Sequence, residues 1–301
     1  MLGKIREFYS KNQDKATKVE ENRKTTDFRL RSLGDLLVNQ FCKEFKVKGK
    51  EDIKTEIEKH PENKYIIASS HFSNLDAPAA IKSLGDIFDM QITAESSSFR
   101  RFAPQRMFLF RTGGEENFIS LDYHKTNKGK SGVFNPKNFE TIFERIKIGK
   151  TPWIAIHAFN EDGEMKEPKI GAIYLAQKTG TKIIPTALEI VGNSISLEGL
   201  VNIAKGILGK ANGKAIFHIG QPITLEKIAK INIIEEVFCK RSEGKKITQK
   251  ERDDFREVLK QLREQANLVG QKIADLLPDN QKGFFRNKES SIYNKQHHYE
   301  K

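Results

Sequence analysis

The amino-acid sequence predicts a layered α/β fold: a largely parallel or mixed sheet flanked by helices, with a helical segment before it and one long helix after it. Three observations carry that expectation. Short apolar runs alternate with helix-patterned stretches between about residues 45 and 225, as when strands are joined by crossover helices. Further on, Phe255, Val258, Leu262, Ala266, Val269, Ile273 and Leu276 recur at steps of three and four, the apolar stripe of a long helix. Finally, 301 residues at 37% hydrophobic and 31% charged suffice for one good-sized core or two small ones.

Taken in order, residues 1–44 form a basic, helix-patterned zone. Leu30, Leu33, Leu37 and Phe41 make its apolar face, and Lys or Arg stands at 4, 6, 11, 15, 18, 23, 24, 29, 31 and 43. Two readings fit. The zone lies on an anionic lipid surface, where each basic residue contributes ~1 kcal/mol, or it packs on the domain with its charges solvated.

Residues 45–283 form the expected α/β domain, with strands at 65–70, 89–94, 118–121, 152–157, 182–190 and 215–219. Asn135 followed by Pro136 opens a helix that Gly149 closes, and a helix over 169–179 stops at Gly180. The long C-terminal helix starts at Thr248, with Glu251 three residues on for a capping box, and ends before Pro278. Residues 284–301 are polar and aperiodic, the pattern of a disordered tail.

Charge and cysteine usage narrow the class. A net charge of +12 and a pI near 9.4 call for an anionic partner: nucleic acid, a phosphorylated substrate or an anionic lipid surface. Neither a zinc-finger spacing nor an RNA-recognition aromatic motif is present, so nucleic acid is the least favoured of the three. Cys42 and Cys239 are far apart and outside metal-ligand spacing, which suits a reducing cytoplasm and predicts two buried apolar side chains. No signal peptide is expected from residues 1–13, and no run approaches the ~18 apolar residues of a spanning helix.

One constellation carries chemistry. The run Tyr65-Ile66-Ile67-Ala68-Ser69-Ser70 delivers His71-Phe72-Ser73-Asn74-Leu75-Asp76, a histidine at a strand end with a carboxylate five residues on. If Asp76 opens a helix, its carboxylate reaches back to the imidazole, fixes the tautomer and stabilises the imidazolium. A second copy, His157-Ala158-Phe159-Asn160-Glu161-Asp162, also follows an apolar run and also precedes an expected helix. Ser73 and Asn74 are natural helix caps and Pro78 fits a first turn, which favours the first pair. Satisfied structural histidines are the remaining alternative. In an open α/β sheet ligands gather beyond the carboxyl ends of the strands, where both histidines are expected, so the two could border one cleft.

Other chemistries fail. Gly129-Lys130-Ser131 ends like a phosphate-binding loop, but the glycine required five residues earlier is His124. There is no Gly-x-Ser-x-Gly elbow, and neither cysteine has a histidine near it in sequence, which leaves His71 acting directly on a substrate hydroxyl.

The block His71-x-Ser73-Asn74-x-Asp76 resembles the His-x4-Asp motif of the glycerolipid acyltransferases typified by 1-acylglycerol-3-phosphate acyltransferase. Phe45-Lys46-Val47-Lys48-Gly49-Lys50-Glu51 resembles the strand and turn that open that family's catalytic domain. Lys169-Ile170-Gly171-Ala172, Ile183-Ile184-Pro185 and Ile219-Gly220-Gln221-Pro222-Ile223 are similar to its later blocks, and Leu276-Leu277-Pro278 with Gly283 to its ending. Two blocks depart. No arginine stands in register between Gly113 and Asp122, and Ile154 to Gly163 lacks the family's Phe-Pro-Glu-Gly-Thr-Arg.

The resemblance implies transfer of a fatty acyl group from acyl-CoA or an acyl-carrier protein to a hydroxyl of a glycerolipid precursor such as lysophosphatidate. His71 would be the base and Asp76 its partner, with amides just after His71 near the oxyanion. Ser73, Asn74, His157, Gly171 and Pro185 would line the substrate, and Arg100, Arg101, Arg106, Arg111 and Lys169 would meet its phosphates. No metal or redox cofactor is implied. The protein would be cytoplasmic and peripheral on the inner face of the cell membrane. Since the two departing blocks hold the acceptor's phosphate in the family, a lipid-binding or scaffolding protein that keeps the fold without turnover is the competing reading.

Overall fold

The computed structural model describes residues 25–95, 117–121, 139–160, 162–191 and 213–286. Among them, seven strands form one sheet and seven α-helices cover it.

Helix α1 (Phe28–Phe41) is capped by the Asp27 carboxylate, which accepts the Arg29 amide, and buries Leu30, Leu33, Val38 and Phe41. A Cβ on Gly34 would stand 3.0 Å from the Pro78 carbonyl, so the glycine lets α1 cross closely over helix α3 (Asp76–Leu84). Of the two readings of the N-terminal zone, this part packs on the domain; residues 1–24 lie outside the described residues. The chain then enters β1 (Cys42–Lys48) directly, so the expected 44/45 boundary falls inside a strand.

Gly49, at φ 82°, turns β1 into α2 (Lys50–Lys59). The remaining strands are β2 (Tyr65–Ser69), β3 (Met90–Glu95), β4 (Phe118–Leu121), β5 (Thr151–Ala155), β6 (Lys182–Val191) and β7 (Gly213–Ile219). Their order is β1-β7-β6-β2-β5-β3-β4. Strands β4, β3, β5, β2 and β6 run parallel, β7 is antiparallel to β6, and β1 is parallel to β7. All five residues of β2 are buried because both faces of the sheet are covered, which is why its sequence is an unbroken apolar run rather than an alternating one.

One face packs Ile66, Ala68, Ile154, Ile183 and Ala187 against α5 (Gly171–Thr179) and α7 (Gln249–Ala274), with α4 (Glu140–Lys147) and α6 (Ile233–Ser242) beside them. The other packs Ile67, Trp153, Ile184, Leu188 and Phe217 against α1 and α3.

The expected strand over 118–121 recurs with its ends unchanged and the other five with shifted ends, and the expected layered, mixed sheet is present. The capping box at Thr248 forms on both sides, and Val258, Leu262, Ala266, Val269 and Ile273 are buried as one stripe. Besides the 44/45 boundary, four expectations need correction. Strand β5 stops at Ala155, two residues short of His157. Helix α5 starts at Gly171, because Lys169 instead donates its backbone amide to the Ile156 carbonyl. Cys239 is exposed while Cys42 is buried, since α6 turns Ile233, Ile234 and Val237 inward and leaves Cys239 outside. The tail does not begin at residue 284: Phe285 is 2% exposed and fills the space over Gly270, and residues 287–301 lie outside the described residues. No described helix is long and apolar enough to cross a membrane.

Candidate active site

Strand β2 occupies the middle of the sheet, and beyond its carboxyl end the Ser70 amide still bonds the Thr186 carbonyl before the chain leaves the sheet. Residues 71–75 form a tight turn and α3 begins at Asp76. One carboxylate oxygen folds that turn. Asp76 Oδ2 accepts the amides of Phe72 at 2.7 Å and Ser73 at 2.8 Å, and meets His71 Nδ1 at 3.1 Å. Asp76 is the first helical residue, where a negative charge suits the helix's positive end, and its carboxylate reaches back to amides three and four positions earlier.

Asp76 is fully buried, and its Oδ1 has no hydrogen-bond partner among the described residues. Burial pushes its carboxyl above the ordinary carboxylate range, while His71 and the Ser73 and Phe72 amides pull the other way. An ionised Asp76 can only accept, so Nδ1 of His71 carries the proton and Nε2 is the basic nitrogen. The His71 side chain is 27% exposed, so the imidazole is in part open to solvent. Trp153 and Phe159 stand edge-on to the imidazole, with ring centroids 6.1 and 5.1 Å away, and wall it with apolar surface.

The second copy of the motif is built differently. His157 is 2% exposed, its Nδ1 bonds the Ala158 carbonyl at 2.8 Å, and its Nε2 accepts the backbone N–H of His71 at 3.2 Å. No helix follows it before Gly171, and Asp162 is exposed rather than turned back to the ring. Burial holds the imidazole neutral and takes its pKa down to about 4; the bond to the Ala158 carbonyl pulls the other way, while His71 and Lys166 lower it further. The His157/Asp162 pair therefore does not form, but the two histidines do meet.

Other expected site residues divide. Ser73 is 3% exposed and its Oγ accepts the Leu75 amide, so it closes the turn instead of facing substrate; Asn74 is exposed on that turn and caps nothing. Of the amides after His71, those of Phe72, Ser73, Leu75 and Asp76 all bond within the turn and are taken. Pro185 is buried in β6 beside Ala68, with its carbonyl taken by the Gly220 amide, and so lines the sheet and not a cleft. Gly171 opens α5 against the Phe139 ring, and Lys169 is exposed just before it. Arg100, Arg101, Arg106 and Arg111 lie outside the described residues.

Trp153, Phe159 and Asn160 touch His71 and were not singled out in the sequence; Asn160 donates its amide to the His71 carbonyl at 3.1 Å. Their only signal was their place around the second histidine. Another pair, His218 Nε2 to Glu189 Oε2 at 2.7 Å, joins neighbouring strands β7 and β6 within the sheet rather than beyond a strand end, and reads as a cross-strand tie. Among the described residues no group of three or more His, Cys, Asp or Glu side chains converges as a metal site. What remains is a partly exposed imidazole with one nitrogen oriented by a buried acid, an arrangement able to take a proton from a hydroxyl.

No protein-family model matches the chain, and no curated protein matches it. Among solved structures, the crystal structure of the 1-acyl-sn-glycerophosphate (LPA) acyltransferase PlsC from Thermotoga maritima is similar at 16% identity and a TM-score of 0.46, covering 80% of this chain and 91% of that one.

Proposed function

We propose that this protein is an acyltransferase that moves a fatty acyl group from a thioester donor, acyl-CoA or acyl-carrier protein, to a hydroxyl of a glycerolipid precursor of the lysophosphatidate type. The observation that carries the reading is the His71 Nδ1 to Asp76 Oδ2 contact of 3.1 Å at the end of the central strand β2, with Asp76 buried and His71 partly exposed. The motif resemblance in the sequence supports the same chemistry.

In this reading the acceptor hydroxyl gives its proton to His71 Nε2 as its oxygen attacks the thioester carbonyl carbon. The tetrahedral intermediate collapses with cleavage of the C–S bond, and the leaving sulfur takes the proton back from the imidazolium. Asp76 holds the ring and balances its charge while the proton is on it. Trp153 and Phe159 keep one side of the ring apolar, which strengthens that pairing. Written this way, the reaction needs no metal or redox cofactor. The basic segment before α1 supports a peripheral position on the anionic inner face of the cell membrane.

The test supplies labelled acyl-CoA or acyl-carrier protein with lysophosphatidate, glycerol 3-phosphate and other hydroxylated acceptors. Wild type should form ester, and His71→Ala should lose ~10²-fold or more of the rate. Equal product from the two proteins would reject the assignment, and no product with any pair of substrates would favour a binding protein that has kept the fold.

A further inference from the structure

We propose that His157 is a positioning residue: a neutral imidazole that accepts the backbone N–H of His71 and, with Asn160, fixes the main chain from which the base projects. This rests on the acyl-transfer reading of His71.

The loop after β5 grips His71 at both of its peptide groups. His71 donates its amide to His157 Nε2 at 3.2 Å, and its carbonyl accepts the Asn160 amide at 3.1 Å. A peptide N–H that leaves the end of a strand normally bonds a carbonyl or water; here a side chain 86 residues away supplies the acceptor. The tautomer is set on the other side of the ring, because the Ala158 carbonyl can only accept and so requires the proton on Nδ1, which frees the Nε2 lone pair for His71. The Phe72 ring covers His157, with centroids 5.5 Å apart at 36°.

The loop is anchored in turn from the chain's end. Asn160 Nδ2 donates to the Glu164 carbonyl at 2.7 Å, Arg286 pairs with the Glu164 carboxylate at 2.6 Å, and Phe284 donates its amide to the Met165 carbonyl at 2.8 Å. The charged or titratable groups that act on His157 are His71 and Lys166, both of which disfavour a second proton on it. With the His157 side chain almost wholly enclosed, it does not touch substrate and acts only through the direction it gives His71.

That arrangement predicts a separation of kinetic constants. Replacing the acceptor by an apolar ring, His157→Phe, leaves the His71 amide unpaired and lets the loop shift, lowering kcat by ~10-fold to ~100-fold. KM stays near its wild-type value. His157→Gln, whose amide oxygen can take the same N–H, should recover kcat to within about threefold of wild type. A purely structural role would make the two variants alike at equal folded fraction, measured by thermal melting.

An independent readout is the scalar coupling across the N–H···N bond between the His71 amide nitrogen and His157 Nε2, in uniformly nitrogen-labelled protein. Observing the coupling together with the Phe loss and the Gln recovery sustains the proposal. A missing coupling, a Phe variant as fast as wild type, or a Gln variant no better than Phe overturns it. Should the wild type transfer no acyl group, the functional reading fails by itself, and the coupling still decides whether the imidazole holds the His71 backbone.

Discussion

Acidification should destabilise this protein through His157 before most carboxylates titrate. The folded imidazole ionises near about 4 against an ordinary value of 6.5, and the cause is burial first, then repulsion from His71 and Lys166. Below the ordinary value the unfolded chain binds a proton that the folded chain refuses, so this contribution is fully present above pH ~6.5 and is lost as pH falls through the folded value. The full difference corresponds to about 3 kcal/mol, of which about 2 kcal/mol has gone by pH ~5. Against a typical total of 5–15 kcal/mol, roughly a fifth or more of the stability would depend on one ring.

The assay is urea unfolding of wild type and His157→Gln across pH ~7.5 to ~4.5, with the two free energies subtracted at each pH. Asp76 works with the opposite sign: its raised folded pKa gives stability present below the ordinary carboxylate value and lost as pH rises through the folded one. Subtraction removes that contribution because both proteins carry it. Relative to the Gln variant, wild type should lose about 2 kcal/mol on going from pH ~7.5 to ~5. Parallel curves over that range would show that His157 is not held neutral by burial.

At Asp76, Asn retains an oxygen for the Phe72 and Ser73 amides but removes the charge that balances an imidazolium, so Asp76→Asn should melt near wild type while ester formation falls ~10²-fold or more. Asp76→Ala should also lose about 2 kcal/mol or more of unfolding free energy, because two buried amides are left unpaired; an Ala variant as stable as Asn would contradict the role given to the carboxylate. Gly49→Ala puts a Cβ 2.1 Å from the Ile219 carbonyl at φ 82°, and urea midpoints should report about 2 kcal/mol or more of destabilisation. Removing residues 1–24, which carry seven Lys or Arg residues at 4, 6, 11, 15, 18, 23 and 24, should weaken cosedimentation with anionic vesicles and leave the melting temperature unchanged because α1 is retained; undiminished sedimentation would remove the lipid role.

The sequence by itself determined whatever depends on near neighbours. The apolar run of β2 is a strand buried on both faces, the stripe from Val258 to Ile273 is one side of α7, and Thr248 with Glu251 closes that helix's first turn. Asp76 lies five residues from His71, near enough in the chain for carboxylate and imidazole to meet across a single turn, as they do. Periodicity missed β1, α2 and α6, whose apolar positions are too few or too irregular to repeat.

Tertiary structure decided the rest, because those outcomes depend on residues distant in sequence. Strand β7 runs against β6, a pairing settled where the chain returns to the sheet. The complete burial of Asp76, and with it the upward pressure on its carboxyl, is a property of the folded chain and not of the five-residue spacing. Most clearly, His157 carries the same local spacing as His71 but ends in a different place: its ring meets the backbone amide of a residue 86 positions earlier while Asp162 turns outward to solvent. A spacing of five makes a reach possible; the direction in which the backbone leaves its strand determines whether that reach is used.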